Sequence, residues 1–123
     1  MRYPQLIVFE SDGRLAAQLA PLSTLRGWPL REPHRAESVL SLLETDNPSV
    51  VVIRCGRDLE RELSLLERVS LEAPAACSIL VVDQAHPRLY SLGWQLGASF
   101  LLSPRQARDH LIDLVDAHLN ITR

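Results

Sequence analysis

Apolar runs of strand length alternate along the chain with stretches whose Leu and Val residues recur at helical spacing. The runs fall at residues 5–9 (QLIVF), 49–54 (SVVVIR), 78–83 (SILVVD) and 99–103 (SFLLS), with a weaker one at 28–32 (WPLRE). The three strongest are continuously apolar instead of alternating, which is how strands covered on both faces read. The pattern predicts a parallel sheet.

The intervening helices carry their own punctuation. The first spans 12–26, with Leu15, Leu19 and Leu22 on one face and Gly27 as a stop. Pro21 inside it predicts a kink or an early end near Ala20, since proline lacks a backbone donor and crowds the preceding turn. The second, RAESVLSLLET, presents Val39, Leu40 and Leu43 before a DNP turn signal. A third opens on Asp58 as N-cap, turns Leu59, Leu63, Leu66 and Val69 inward and stops before Pro74. The fourth starts with Pro87 in its first turn and ends at Gly97; its inward stripe is Leu89, Leu92 and Leu96. The fifth, RQARDHLIDLVDAHL, has Leu111, Leu114, Val115 and Leu119 as its stripe.

Five strands alternating with five helices predict a doubly wound α/β three-layer sandwich, because right-handed crossovers put helices on both faces of a parallel sheet. A length of 123 residues suits one domain, residues 1–123, with no repeat or linker. Chemistry in such folds gathers at the carboxyl ends of the strands. Those ends carry Glu10, Ser11 and Asp12; Arg54 and Gly56; Asp83 and Gln84; Ser103 and Pro104.

Composition narrows the function. The content is 46% hydrophobic and 23% charged with a net charge of −2, ordinary for a soluble domain and poorly suited to nucleic acid, which requires a basic face. All 13 basic residues other than His are Arg, so no mechanism can use a Lys ammonium. The opening MRYPQLIVFESDG is too short in its apolar part for a signal segment, and no stretch has the length to span a bilayer, so a cytoplasmic protein without a membrane partner is expected. Cys55 and Cys77 form no CxxC and the four His residues show no ligand spacing; no metal or cofactor is expected, and the two thiols read as small buried hydrophobes.

In order and spacing, LIVFESD, GWPLREPHRAESVLSLL, NPSVVVIR, SILVVDQA and LGASFLLSP resemble the receiver domain of two-component response regulators over nearly the whole chain. The resemblance implies a flavodoxin-like (βα)5 fold with strand order 2-1-3-4-5. It also implies where the family's chemistry would stand. The phosphoaccepting Asp falls on Arg54, the acidic metal-holding pair on Glu10 and Ser11, the Ser/Thr switch on Asp83 and the Lys before the last Pro on Ser103, with Asp12 close by as a second carboxylate. Only Glu10 keeps the family's chemical type.

Phosphoryl transfer to such a site needs a carboxylate nucleophile, a divalent ion held by oxygen ligands and a cation on the transferred group. A guanidinium is permanently protonated and donates only, so Arg54 cannot be that nucleophile. Two readings of Arg54 stand: a fork paired with Glu10, Asp83 or both, or a solvated loop residue. The degenerate site is therefore Glu10, Ser11, Asp12, Arg54, Asp83 and Ser103, with no catalytic residue among them.

The expected function is a non-phosphorylatable pseudo-receiver, not an enzyme, working by protein contact and possible as a homodimer through the fourth helix, fifth strand and fifth helix. Tyr90 and Trp94 lie four apart and share a helix face, Phe100 matches the family's switch aromatic or is simply core, and Arg105, Arg108, Asp109 and Asp113 form a charged rim. Asp109, Asp113 and Asp116 make one side of the fifth helix acidic, while His34, His86, His110 and His118 read as solvated. The rival is a flavodoxin-like protein or enzyme holding a small ligand or nucleotide at the sheet mouth. Against it, the first turn, ESDGR, has one Gly and no phosphate cradle, and Glu10 and Asp12 there repel phosphate.

Overall fold

The structure, a computed structural model, describes residues 4–45, 47–82 and 87–121. Its elements in chain order are β1 (Gln5–Phe9), α1 (Arg14–Arg26), β2 (Leu30–Arg31), α2 (Ala36–Leu43), β3 (Ser49–Cys55), α3 (Leu59–Glu72), β4 (Cys77–Val82), α4 (Pro87–Gln95), β5 (Phe100–Leu102) and α5 (Pro104–Ile121). The strands form one parallel sheet in the order β2-β1-β3-β4-β5, as expected.

The apolar runs are double-faced because each strand feeds two cores. Leu6, Val8, Val50, Val52, Ile79 and Val81 point to the layer of α1 and α5, where Leu15, Leu19, Leu111, Val115 and Leu119 meet them. Ile7, Phe9, Val51, Ile53, Leu80 and Val82 point the other way, to Val39, Leu40, Leu65, Leu66 and Val69 on α2 and α3. The period-2 alternation of side chains sorts one continuous run into two cores.

Several expected boundaries move. The weak strand at 28–32 shrinks to Leu30–Arg31, and Trp28 leaves the strand to be buried in the α1/α5 core. β3 extends to Cys55, β4 runs from Cys77 to Val82, and β5 keeps only Phe100–Leu102. α1 begins at Arg14 and continues through Pro21 to Arg26, with no early end at Ala20. Pro21 is exposed, so its ring meets water, and the burial of Leu19 and Leu22 on the opposite face carries the helix past it. Gly27 closes α1 at φ +70, in the left-handed region that a side chain disfavours.

α3 turns by part of a turn from its expected register. Leu59 is exposed, and the buried positions are Glu62, Leu65, Leu66 and Val69. In α4, which ends at Gln95 and not Gly97, Leu92 is exposed and Gly93 takes the inward position. A Cβ at Gly93 would lie 2.8 Å from Leu101 Cδ2 and 3.1 Å from Leu80 Cδ2, so the absent side chain lets α4 approach β4 and β5. Cys55 and Cys77 are buried and not joined in a disulfide. Among the described residues, no helix is long and apolar enough to cross a membrane.

Candidate functional site

The carboxyl mouth of the sheet is built by the turns after β1 and β3. Alternation along β3 puts Arg54 on the same side as Val50 and Val52, beside Val81 of β4, so its side chain leaves the sheet toward α1 and α5. Its Nη1 lies 2.7 Å from Oδ2 of Asp12, with 23% of the Arg54 side chain exposed. Of the two sequence readings, pairing is the one observed: among the described residues the carboxylate is that of Asp12 and not Glu10, and the other expected partner, Asp83, lies outside the described residues.

Glu10 is committed elsewhere. Its Oε1 accepts from the Leu15 amide at 3.0 Å and its Oε2 from the Ala16 amide at 2.9 Å, so the carboxylate satisfies two donors that the first turn of α1 cannot pair internally. Burial pushes the Glu10 carboxyl above its ordinary range against the pull of those amides, and neighbouring Asp12 adds to the rise. Asp12 shifts the other way. The Arg14 amide, 3.1 Å from Oδ1, lowers it most, and the charge of Arg54 lowers it further.

Ser11 is exposed in the same turn. Ser103 closes a reciprocal cap at the start of α5: its amide donates to Gln106 Oε1 at 2.9 Å, and its Oγ accepts from the Gln106 amide at 3.1 Å. Asp83, together with Gln84 and His86, lies outside the described residues. A divalent ion does not suit the donors that remain: both oxygens of Glu10 face amides, Asp12 faces a guanidinium, and no group of three His, Cys, Asp or Glu gathers among the described residues.

Sequence reasoning missed Glu62. This buried carboxylate sits under the turn between β3 and α3, where Oε1 accepts from the amides of Gly56 at 2.9 Å and Asp58 at 3.2 Å. Burial raises its carboxyl above the ordinary range, opposed by those amides. The available signal was register, since 62, 65, 66 and 69 share one helix face and a Glu on that face asks for a buried acceptor role. Asp58 caps α3 as expected, accepting from the Arg61 amide. Arg61 lies over the Phe9 ring at 5.3 Å and donates to the His34 carbonyl at 2.8 Å. A cavity of about 390 Å³ opens there, lined by Phe9, Glu10, His34, Arg57, Arg61 and Glu62 among others.

Away from the mouth, Trp94 is 55% and Phe100 37% exposed, so Phe100 is not core, and Tyr90 is half-buried. Arg105, Arg108, Asp109 and Asp113 are exposed. Asp116 is instead tied to α1 by a two-point pair with Arg26, at 2.9 Å for each contact.

No family model matches the sequence, and neither does any curated protein. Solved structures do match in shape. The receiver domain of Francisella response regulator 1452 shares 20% identity at a TM-score of 0.76, covering 98% of this chain and 99% of that one. A CheY-like receiver domain protein from Methanospirillum hungatei shares 13% at 0.77, covering 98% and 96%. The beryllofluoride-activated NtrC4 receiver domain dimer shares 10% at 0.76, covering 97% and 98%. At these identities it is the architecture that is shared: the chain has the flavodoxin-like fold of response-regulator receiver domains.

Proposed function

We propose that this chain is a single-domain, cytoplasmic pseudo-receiver of two-component signalling, which does not accept a phosphoryl group and acts by binding other proteins. The observation that carries this reading is Arg54 at the end of β3, paired at 2.7 Å with Asp12. A guanidinium supplies no nucleophile, the one acidic residue kept from the family's set is spent on the α1 amides, and Ser103 supplies no cation. The site then holds its charge balance without a phosphodonor.

The contact surface in this reading is α4, β5 and α5, where Tyr90, Trp94 and Phe100 offer aromatic area and Arg105, Arg108, Asp109 and Asp113 a mixed-charge rim. Mixed charge of that kind is self-complementary across a two-fold axis, which favours a homodimer. The net charge of −2 supports a protein partner over nucleic acid.

The test is incubation with acetyl phosphate, or with beryllium fluoride, in the presence of magnesium. Intact-mass measurement is expected to show no adduct and amide spectra no shift. A hydroxylamine-labile phosphoprotein would overturn the reading.

A further inference from the structure

We propose that the cleft between the ends of α2 and α3, at the amino edge of the sheet, docks a short apolar segment of a partner protein that carries a basic residue. The cleft has a volume of about 470 Å³, a size that holds a ligand. Its wall is mostly apolar, made by Leu43, Pro48, Ala73, Pro74, Ala75 and Ala76. Pro74 and Ala75 are exposed and the other four half-buried, so apolar surface from both sides of the cleft faces water. It lies at the opposite end of the sheet from Arg54, since β3 enters at Ser49 beside the cleft and leaves at Cys55.

The cleft is preformed. Gln5 Nε2 donates to the Leu42 carbonyl at 2.9 Å and to Ser49 Oγ at 2.8 Å, which ties the end of α2 to the start of β3. Thr45 Oγ1 donates to the same Leu42 carbonyl at 3.0 Å and Ser49 Oγ to the Asn47 carbonyl at 3.0 Å, so Thr45 and Asn47 are braced from within. On the other wall, the Ala73 amide donates to the Val69 carbonyl at 2.8 Å and the Ala76 amide to the Ala73 carbonyl at 3.0 Å, which fixes the turn from α3 into β4. Walls already in place lower the ordering cost of binding.

Its electrostatics select the charge of the partner. Among the described residues that line the cleft, Glu44 is the one charged group, and it is exposed. Both helices end on the cleft, α2 at Leu43 and α3 at Glu72 beside Ala73, and neither has a basic residue in its last turn. A helix C-terminus carries partial negative charge on carbonyls that have no intrahelical donor. Pro48 and Pro74 add to this, since each stands about one helical turn after a carbonyl, that of Glu44 or Ser70, and has no N–H to give it. Arg68, one turn back on α3, is paired with Glu72 at 3.0 Å. A basic side chain brought by the partner therefore meets Glu44 and the two helix ends, while its apolar neighbours cover Pro74 and Ala75. The inference adds a second contact surface to the protein-binding reading above and rests on it. The two fail separately, because this one is read at the cleft with added peptide and the other as a phosphoryl adduct or as self-association through α4, β5 and α5.

The experiment titrates three short blocked peptides into the full chain at constant ionic strength, one of leucine and arginine, one of leucine and glutamate and one of serine and arginine, following backbone amide resonances. The leucine/arginine peptide is expected to give saturable shifts at Glu44, Thr45, Asn47, Ala75 and Ala76, and to bind about tenfold more tightly than either control. Glu44→Arg is expected to weaken it roughly tenfold and to favour the leucine/glutamate peptide instead. Ala75→Trp, which fills the cleft from an exposed position, is expected to abolish binding, with circular dichroism unchanged in both variants. Equal binding of the leucine/glutamate peptide would assign the cleft to apolar contact alone, and equal binding of the serine/arginine peptide to diffuse charge. Shifts at the same amides on concentrating the protein without peptide would assign it to a second copy of the chain. Each of these results overturns the proposal, as does a leucine/arginine peptide that leaves these amides unmoved.

Discussion

Oδ2 of Asp12 lies 2.7 Å from Nη1 of Arg54, which ties the turn after β1 to the end of β3 across the mouth of the sheet. The sheet brings these residues together because β1 and β3 are neighbours in register, with Phe9 opposite Ile53. Asp12 is exposed, so the pair contributes only about 0–1 kcal/mol, and its effect is to orient Arg54 more than to stabilise the fold.

Replacing that arginine by an acid does not rebuild a phosphoacceptor. Arg54→Asp sets a new carboxylate beside Asp12 while both Glu10 oxygens stay on the α1 amides and Ser103 still lacks a cation. No phosphoryl adduct from acetyl phosphate and magnesium is expected by intact mass, and the melting temperature is expected to fall at neutral pH and partly recover on acidification as the carboxylates protonate. Robust phosphoryl uptake by this single variant would show the surrounding site to be competent.

Glu62 predicts a pH dependence of known sign. Its carboxyl is raised in the folded protein, so the native state holds a proton that the unfolded chain has already released, and stability falls as pH rises from the ordinary glutamate range through the raised value. Glu10 acts in the same direction, whereas Asp12, lowered in the fold, acts oppositely and at lower pH. Glu62→Gln is expected to flatten the slope in urea unfolding, and Glu62→Leu, which leaves the Gly56 and Asp58 amides without their acceptor, to cost about 1–3 kcal/mol. An unchanged slope in Glu62→Gln would assign the dependence to Glu10.

The strands and their two-sided burial were legible because unbroken β-branched runs leave little alternative, and the mouth residues followed from where those runs stop. Helix faces were less legible. In α3 Leu residues at 59, 63 and 66 fit an inward stripe on spacing alone, yet the amides of Gly56 and Asp58 need an acceptor, and meeting that need brings Glu62 inside and leaves Leu59 exposed. In α4 the close approach to Leu101 and Leu80 favours Gly93 over Leu92, a matter of tertiary packing that periodicity does not carry. That Asp12 and not Glu10 meets Arg54 follows from Glu10 being taken by α1 amides, which no spacing rule shows.

Gly97 is expected to tolerate no side chain. Its φ is +103, and an added Cβ would lie 2.1 Å from Ser70 Oγ and 2.5 Å from Ser70 Cβ. Gly97→Ala is expected to cost about 1–3 kcal/mol from backbone strain alone, with the overlap against α3 adding to it. Ser70→Gly in the same chain is expected to recover the overlap but not the strain, a partial rescue measurable by urea unfolding. Full stability of Gly97→Ala would contradict this packing of the α4–β5 turn on α3.

Trp94 is expected to govern association. Gly93 faces Leu101 and Leu80, so the next residue along α4 turns away from the sheet, and Trp94 is 55% exposed, with Leu92 and Phe100 each at 37%. Large aromatics on an exposed face supply most of the binding energy of a contact from few residues, while a rim such as Arg105, Asp109 and Asp113 sets its orientation. Sedimentation of the wild type is expected to show a concentration-dependent dimer that is indifferent to acetyl phosphate, because Arg54 is already paired with Asp12. Trp94→Ala is expected to weaken that dimer by roughly tenfold or more, and Arg105→Glu to change it through charge pairing across the two-fold axis, both with unaltered circular dichroism. A wild type that stays monomeric at high concentration, or a dimer that both substitutions leave intact, moves the contact away from α4 and α5.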